Sequence, residues 1–423
     1  MGAEVTKRGW GAAALIALMG VLPVSFSAAG AQLSLGAKCN AVGNFSLDDR
    51  IAGCTAVIES TTGMLQSVIF AHFRRARLYL QKGEVDRAIA DYSKIIGHDP
   101  TNPSARLGRA SAYRQMRDVD AAIADYSKAA ELDPKEVYAY LGRADAYVAN
   151  GDIDAAIADY GRALLIHPDN VRAYLGRGFA YSVKDEPDRA IADCNRAIEI
   201  SRERGLGQFC RGQVYIAKDN VELALAEFNQ AIHLNPKNPG FYSGRAGALR
   251  LRGEFEQALS AIDQAIELAP KNPQFHRLRG IAHFQAGLLS EALHDLGRSN
   301  ELDQTDLYTQ IWLDLARQRS GQPSQLDEAT KQIDMSKWPA PIIRLFLGGT
   351  TFEAMLKAAD DATPIKMKGQ VCEAHFYAGE LALGQGGTDE AMRLLHLAAD
   401  GCPRHYVEWF AARAELHRLN TKP

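Results

Sequence analysis

The chain has 423 residues, of which 47% are hydrophobic and 23% are charged, an ordinary composition for a soluble globular protein. A formal net charge of −3 and the lack of a Lys/Arg cluster argue against binding to nucleic acid and to an anionic membrane surface. The length exceeds that of one compact core, so we expect either several domains or an array of repeats.

Residues 1–31 have the pattern of a cleavable export signal. Lys7 and Arg8 precede an apolar run over residues 9–26, and small residues at 29–31 form a cleavage site. The run is short for a membrane span, and no Cys follows the cleavage site as a lipid anchor would require. The first residues also match the myristoylation pattern, but export would remove the chain from the compartment where that modification occurs. We therefore expect an exported mature protein without a membrane anchor, in a bacterial periplasm.

Residues 32–66 are expected to form an N-terminal cap. The segment from Asp48 to Ser60 looks like the second helix of the repeats that follow, with Cys54 in place of their recurring aromatic residue. Terminal units of a repeat array are atypical because one of their faces meets solvent. This segment therefore indicates a half-repeat.

Residues 69–303 contain seven copies of a 34-residue unit. Apolar residues spaced by three and four run through two segments of each unit and predict two helices. Glycines such as Gly151 separate the two segments, and a proline such as Pro168 stops the second. One such hairpin cannot bury its apolar face alone, so we expect neighbouring copies to stack. An arginine recurs in each copy, as Arg75, Arg109, Arg143, Arg177, Arg211, Arg245 and Arg279.

The recurring arginine has two interpretations. An exposed row of arginines would bind anionic ligands, whereas an acid on the second helix of the same copies indicates charge-balanced pairs within the stack. Only the sixth copy lacks the acid and has Ala261 in its place. We favour the structural interpretation because nearly every arginine has a matching acid. The acids are Asp91, Asp125, Asp159, Asp193, Glu227 and Asp295.

The repeated unit resembles the tetratricopeptide repeat (TPR) family. The resemblance rests on its small, tyrosine, alanine, aromatic and proline positions, as in Ala144, Tyr147, Ala156, Tyr160 and Pro168. It implies an all-α fold, a TPR α-solenoid in which antiparallel helical hairpins form a right-handed superhelix. It also implies a concave groove, lined by the first helix of each repeat, that binds proteins or peptides.

The register of that family predicts the residues of the groove. Apolar side chains at the fifth position of the first helices, together with Val148, Leu206 and Ile216, suit an apolar helix or extended segment of a partner. Arg77 and Arg114 are among the charges that would orient it. The alternative is that the fifth position is partly buried between adjacent first helices. The predicted groove residues are Phe73, Tyr138, Leu141, Asp145, Arg172, Leu175, Phe179 and Phe209.

Six cysteines fall as three local pairs, and none has the CxxC spacing of a zinc or redox motif. In an oxidising compartment an even number of cysteines favours disulfides. Cys194 takes the aromatic position of one second helix, and Cys210 lies on the following first helix, which runs antiparallel to it. Cys372 and Cys402 similarly begin and end one hairpin. The expected disulfides are Cys39–Cys54, Cys194–Cys210 and Cys372–Cys402.

The repeat pattern fades beyond Asp303 and then returns. We expect degenerate helical hairpins over 304–371, a further repeat over 372–403 and a capping helix over 404–423. The tail is similar to the C-terminal part of NlpI-type bacterial envelope adaptors, through Trp338, Ala374-His375-Phe376-Tyr377 and Val407-Glu408 among others. That resemblance implies an adaptor that brings cell-wall hydrolases and proteases together, although the lipobox of those proteins is absent here.

No motif for catalysis was found. The sequence has no HExxH, no GxSxG and no phosphate-binding loop, and Cys402 with His405 lacks a third orienting group. We therefore expect no catalytic residue, no metal and no cofactor. The favoured function is an exported, non-catalytic adaptor that binds protein partners in its groove. The alternative is a structural subunit of an envelope secretion or polysaccharide-export assembly, and a homodimer also stays open.

Overall fold

The computed structural model describes residues 37–40, 45–60, 64–331, 333, 335–360, 364–403 and 406–420. The predicted export signal at residues 1–31 lies outside the described residues, and so does His405. Helices make up most of the described part of the chain, and no strand occurs in it. The chain divides after Pro100 into two compact units.

The first unit contains the predicted cap and the first repeat. After a helical turn at residues 37–40, the side-chain oxygen of Ser46 accepts a hydrogen bond of 3.1 Å from the Asp49 amide and so caps the first helix. A disulfide between Cys39 and Cys54 ties the turn to this helix. The second helix packs against both the first and the third. The helices are α1 (Leu47–Glu59), α2 (Leu65–Lys82) and α3 (Val85–His98).

The second unit begins with six helical hairpins, in which even-numbered helices are the first helix of a repeat. Each first helix packs against its own second helix, and each second helix packs against the next first helix. The helices are α4 (Pro103–Gln115), α5 (Val119–Leu132), α6 (Val137–Asn150), α7 (Ile153–Ile166), α8 (Val171–Val183), α9 (Pro187–Ile200), α10 (Leu206–Ala217), α11 (Val221–Leu234), α12 (Pro239–Arg252), α13 (Phe255–Leu268), α14 (Pro273–Gln285) and α15 (Leu289–Leu302).

A residue in the left-handed conformation follows the first helix of every repeat. Gly151 has a φ of 87°, which glycine adopts without steric cost. Three repeats have a side chain at the same position: Arg117, Asp185 and Asp219 have φ values of 63°, 62° and 60°. The turn is therefore a property of the whole unit, and the stacked hairpins hold it even where glycine is absent.

The recurring arginines pair with the recurring acids inside the stack. Arg143 donates from Nε and Nη2 to the two carboxylate oxygens of Asp159 at 2.6 and 2.8 Å, and from Nη1 to Ser127 at 3.1 Å. Asp159 is 6% exposed, and its hydrogen bonds raise the pKa of the Arg143 guanidinium. The structural interpretation of these arginines is therefore correct. The equivalent pairs are Arg75–Asp91, Arg109–Asp125, Arg177–Asp193, Arg211–Glu227 and Arg279–Asp295.

At three joints between successive repeats of the second unit, an aromatic ring lies on a glycine. A β-carbon at Gly142 would lie 2.4 Å from the Tyr126 ring, and one at Gly176 would lie 2.4 Å from the Tyr160 ring. At the joint between α9 and α10, the two equivalent positions are Cys194 and Cys210, which form a disulfide. The disulfide therefore takes the place of the ring-on-glycine contact.

The C-terminal part of the second unit has helices of uneven length, three of them short. Trp312 is the centre of its core and contacts the rings of Phe284, Phe376 and Tyr377. A third disulfide joins Cys372 to Cys402. The helices are α16 (Leu307–Arg319), α17 (Leu326–Thr330), α18 (Ala340–Phe346), α19 (Phe352–Asp360), α20 (Pro364–Gly384), α21 (Thr388–Gly401) and α22 (Val407–Asn420), so α20 begins before the predicted repeat at residue 372.

A buried carboxyl lies in this C-terminal core. Glu373 accepts hydrogen bonds from the Trp338 indole at 2.6 Å and from the Tyr308 hydroxyl at 2.8 Å. Burial, and after it the nearby Glu408 carboxyl, raise the pKa of Glu373 to about 8. The two donors stabilise the ionised form and oppose this rise without cancelling it.

Candidate interaction surface

Three consecutive first helices of the second unit border a cavity of about 590 Å³. α8 contacts both α6 and α10, and all three contribute lining residues. Val148 of α6, Leu175 of α8 and Leu206 of α10 form an apolar wall. Phe179 of α8 also lines the cavity and is 52% exposed. A large apolar side chain exposed beside an apolar concavity is typical of a binding site.

Charged side chains border one side of this cavity. The carboxylate of Asp145 accepts hydrogen bonds from Arg114 of α4 at 2.8 Å, from Arg172 of α8 at 2.5 Å and from the Tyr160 hydroxyl at 2.6 Å. Burial and the Asp145 charge raise the pKa of Tyr160 well above its usual range, so the hydroxyl stays protonated and donates. One aspartate thus links three successive first helices.

Positive charge exceeds negative charge at the cavity. Arg204 also lines it and is exposed, in the turn between α9 and α10. Among the lining residues, the two guanidinium groups of Arg172 and Arg204 accompany the single carboxylate of Asp145. The side chains of Arg114 and Arg172 are 40% and 50% exposed, so both remain accessible to a ligand. The cavity therefore combines an apolar wall with a surplus of positive charge.

Four of the predicted groove residues line the cavity: Asp145, Arg172, Leu175 and Phe179. Tyr138 is 66% exposed in the first turn of α6 but is not among the lining residues. Four lining residues were not predicted for the groove: Tyr160, Val171, Gly176 and Arg204. Tyr160 had been identified only as a packing aromatic, and Arg204 lies in a turn that departs from the repeat. The absence of proline in that turn was the sequence signal that could have indicated Arg204.

The groove prediction was wrong for Leu141, which is fully buried in a cluster with Ala144. Phe209 is partly buried, with its ring centre 5.6 Å from that of Phe228 and 5.3 Å from that of Phe241, so it also belongs to the packing. Leu141 and Phe209 both occupy the fifth position of a first helix. That position lies between adjacent helices, as the alternative interpretation proposed.

Other predicted groove residues are also packed. Phe73, in the first unit, contacts the Tyr92 ring edge to face. Ile216 is buried in a cluster of the second unit. Neither side chain therefore offers its full apolar surface to a partner.

The three disulfides join the same pairs that were expected from the sequence. Within the described ranges, no group of three or more His, Cys, Asp or Glu side chains is arranged to hold a metal ion. In the same part of the chain, no helix combines the length and the apolar character needed to cross a membrane.

Comparison with known proteins agrees with the helical hairpins. A family model described as TPR repeat matches residues 144–183, and two described as tetratricopeptide repeat match 73–137 and 215–282. A TPR protein from Parabacteroides merdae is 18% identical, with a TM-score of 0.49 over 59% of this chain and 98% of that one. A thermophilic TPR protein from Thermus thermophilus is 20% identical, with a TM-score of 0.38 over 43% and 99%. Since the three family matches fall on the stacked hairpins, these hairpins are tetratricopeptide repeats.

Proposed function

We propose that this protein is an exported, non-catalytic adaptor that binds a segment of a partner protein in the cavity between α6, α8 and α10. Tetratricopeptide repeats are interaction modules, and stacked repeats offer extended surfaces for other chains. The observation that carries the proposal is the exposed ring of Phe179 beside an apolar wall. A partner that covers this ring would remove apolar surface from water, which is the main source of binding free energy.

The charges of the cavity indicate the chemistry of the partner segment. The surplus of arginine over aspartate favours an acidic side chain next to an apolar anchor residue. Arg172 is held by Asp145 at 2.5 Å, whereas Arg204 lies in the exposed turn. Arg204 is therefore the better candidate to receive a carboxylate, since it has no ion-pair partner among the described residues. Such contacts set specificity and association rate more than affinity.

Export and an envelope location rest on different observations. The pattern of residues 1–31 favours export, and three disulfides within 423 residues suit an oxidising compartment. The resemblance of the tail to NlpI-type adaptors favours cell-wall hydrolases or proteases as partners. N-terminal sequencing of the protein recovered from a periplasmic extract tests export, and the expected first residue is Gln32.

The cavity is tested with peptides selected from a phage-displayed library against the mature protein. We expect Phe179→Ala to raise the Kd of a selected peptide at least tenfold, which corresponds to about 1.4 kcal/mol. Tyr138→Ala should have a smaller effect because Tyr138 does not line the cavity. Leu165→Ala is the matched control, since Leu165 is 77% exposed on the second helix of its repeat.

The thermal midpoint of each variant separates binding from folding. Phe179→Ala should unfold within a degree or so of the wild type, because half of its ring already contacts water. Arg204→Glu should weaken acidic peptides and leave uncharged ones unchanged. Unaltered affinity for every selected peptide in the Phe179→Ala variant would rule out this cavity as the binding site.

A further inference from the structure

The sixth repeat leaves its arginine without the acid that the other repeats supply. Ala261 stands at the position of Asp159 and its equivalents, so the acid that pairs with the arginine in the other repeats is missing here, and no ion pair of Arg245 occurs among the described residues. Its Nη2 donates to the side-chain oxygen of Gln264 at 3.0 Å. Its Nε is shielded from solvent and has no hydrogen-bond partner within the described part of the chain. A buried donor of this kind costs free energy until an acceptor reaches it.

The neighbouring repeats show which acceptor this guanidinium is built to hold. In the five arginine–aspartate pairs, Nε donates to one carboxylate oxygen at 2.6–2.8 Å and Nη2 donates to the other at 2.6–2.9 Å. This two-bond geometry matches a planar carboxylate. The same backbone position in the sixth repeat therefore presents a carboxylate-binding group without its carboxylate.

A cavity of about 310 Å³ lies beside Arg245. Arg245 shares its lining with Asn229 of α11, with Arg252 of α12 and with Ser260 of α13. Arg252 is already paired with Glu254 at 2.7 Å, so it adds little net charge. Asn229 and Ser260 offer neutral polar groups, and no residue is shared with the cavity between α6, α8 and α10. The cavity is therefore separate, and among its lining residues Arg245 is the one basic side chain with no acidic partner in the described part of the chain.

We propose that Arg245 binds a carboxylate supplied from outside the chain, which takes the place of the missing acid of the sixth repeat. One carboxylate oxygen accepts from Nε, and the other accepts from Nη2, as in the neighbouring repeats. Nη2 carries two N–H groups, so it can keep its bond to Gln264. The carboxylate comes from a side chain or from the C-terminus of a bound peptide, or from a small organic acid.

The proposal is tested by NMR on protein labelled with ¹⁵N at arginine Nε, titrated with sodium acetate and, separately, with inorganic phosphate. The Nε–H signal of Arg245 should move with acetate along a saturable curve, and it should move less with phosphate. The Nε–H signal of Arg143 is the internal control, since its carboxylate is supplied by Asp159. Arg245→Gln assigns the signal by removing it.

Ala261→Asp is the decisive variant. It restores the pair found in the other repeats, so it should fold, and its Arg245 signal should no longer respond to acetate. N-acetylaspartate amide and acetylglycine are then added in turn to the wild-type protein. The tighter of the two shows whether Arg245 prefers a side-chain or a main-chain carboxylate. No saturable shift with acetate, a stronger response to phosphate, or an equal acetate response in Ala261→Asp would each overturn the proposal.

Discussion

Replacing Arg143 with alanine removes the only basic partner observed for Asp159 among the described residues, and two hydrogen bonds with it. The side chains of Arg143 and Asp159 are 19% and 8% exposed, so the stranded carboxylate would be mostly buried. Leaving a buried hydrogen-bonding group unpaired costs about 1–3 kcal/mol, and more when it is charged. The loss of the bond to Ser127 adds to this cost. We therefore expect Arg143→Ala to lower the free energy of unfolding by about 2–3 kcal/mol.

The assay is urea unfolding followed by circular dichroism at 222 nm, with the disulfides intact. Arg162→Ala is the matched control, because Arg162 is exposed on the second helix of the same repeat. Asp159→Asn and the double variant complete a cycle that isolates the coupling between the two side chains. An unchanged midpoint for Arg143→Ala would refute the structural interpretation. A loss of anion binding in that variant would instead favour an exposed ligand-binding role.

Two further predictions concern the disulfide of the array and the buried acid. Both Cys194→Tyr with Cys210→Gly and alanine at both positions lose the disulfide, which costs about 3 kcal/mol in loop closure. Only the Tyr/Gly variant regains the ring-on-glycine contact of the neighbouring repeats, so it should have the higher urea midpoint, and equal midpoints would contradict this. Folded Glu373 keeps its proton to about pH 8, whereas an unfolded glutamate releases it near 4.5. The free energy of unfolding should therefore fall as pH rises between these values, and Glu373→Gln should flatten that slope in urea titrations.

The hairpins could be predicted because their signals are local and recur. Gly151 ends one first helix with the left-handed conformation that glycine permits. Arg143 pairs with Asp159, and most repeats have an arginine and an acid at the same spacing. The short helices α17 to α19 have no such repeated signal. Their bounds depend on packing around Trp312, which involves residues distant in sequence.

The candidate site was harder to predict for a physical reason. Leu141 and Leu175 occupy the same position of successive repeats, yet Leu141 is fully buried and Leu175 lines the cavity. The position of a residue within the repeat predicts on which face of its helix the side chain lies. It does not predict how closely the first helix of the next repeat packs against that side chain. For Leu175 that neighbour is α10, which begins after an irregular turn.

In a repeat array, each copy is an internal reference for the others, and two departures from the common pattern coincide with the two cavities. The turn before α10 has Arg202 where most copies have proline, and Arg204 of that turn lines the larger cavity. The disulfide joins α9 to α10 beside this turn, so the covalent link holds one wall of the cavity in place. At the second cavity, Ala261 removes an acid that the stack elsewhere uses for its own stability. Both changes leave an arginine beside a cavity, and breaks in local consistency of this kind are expected where a surface serves binding rather than packing.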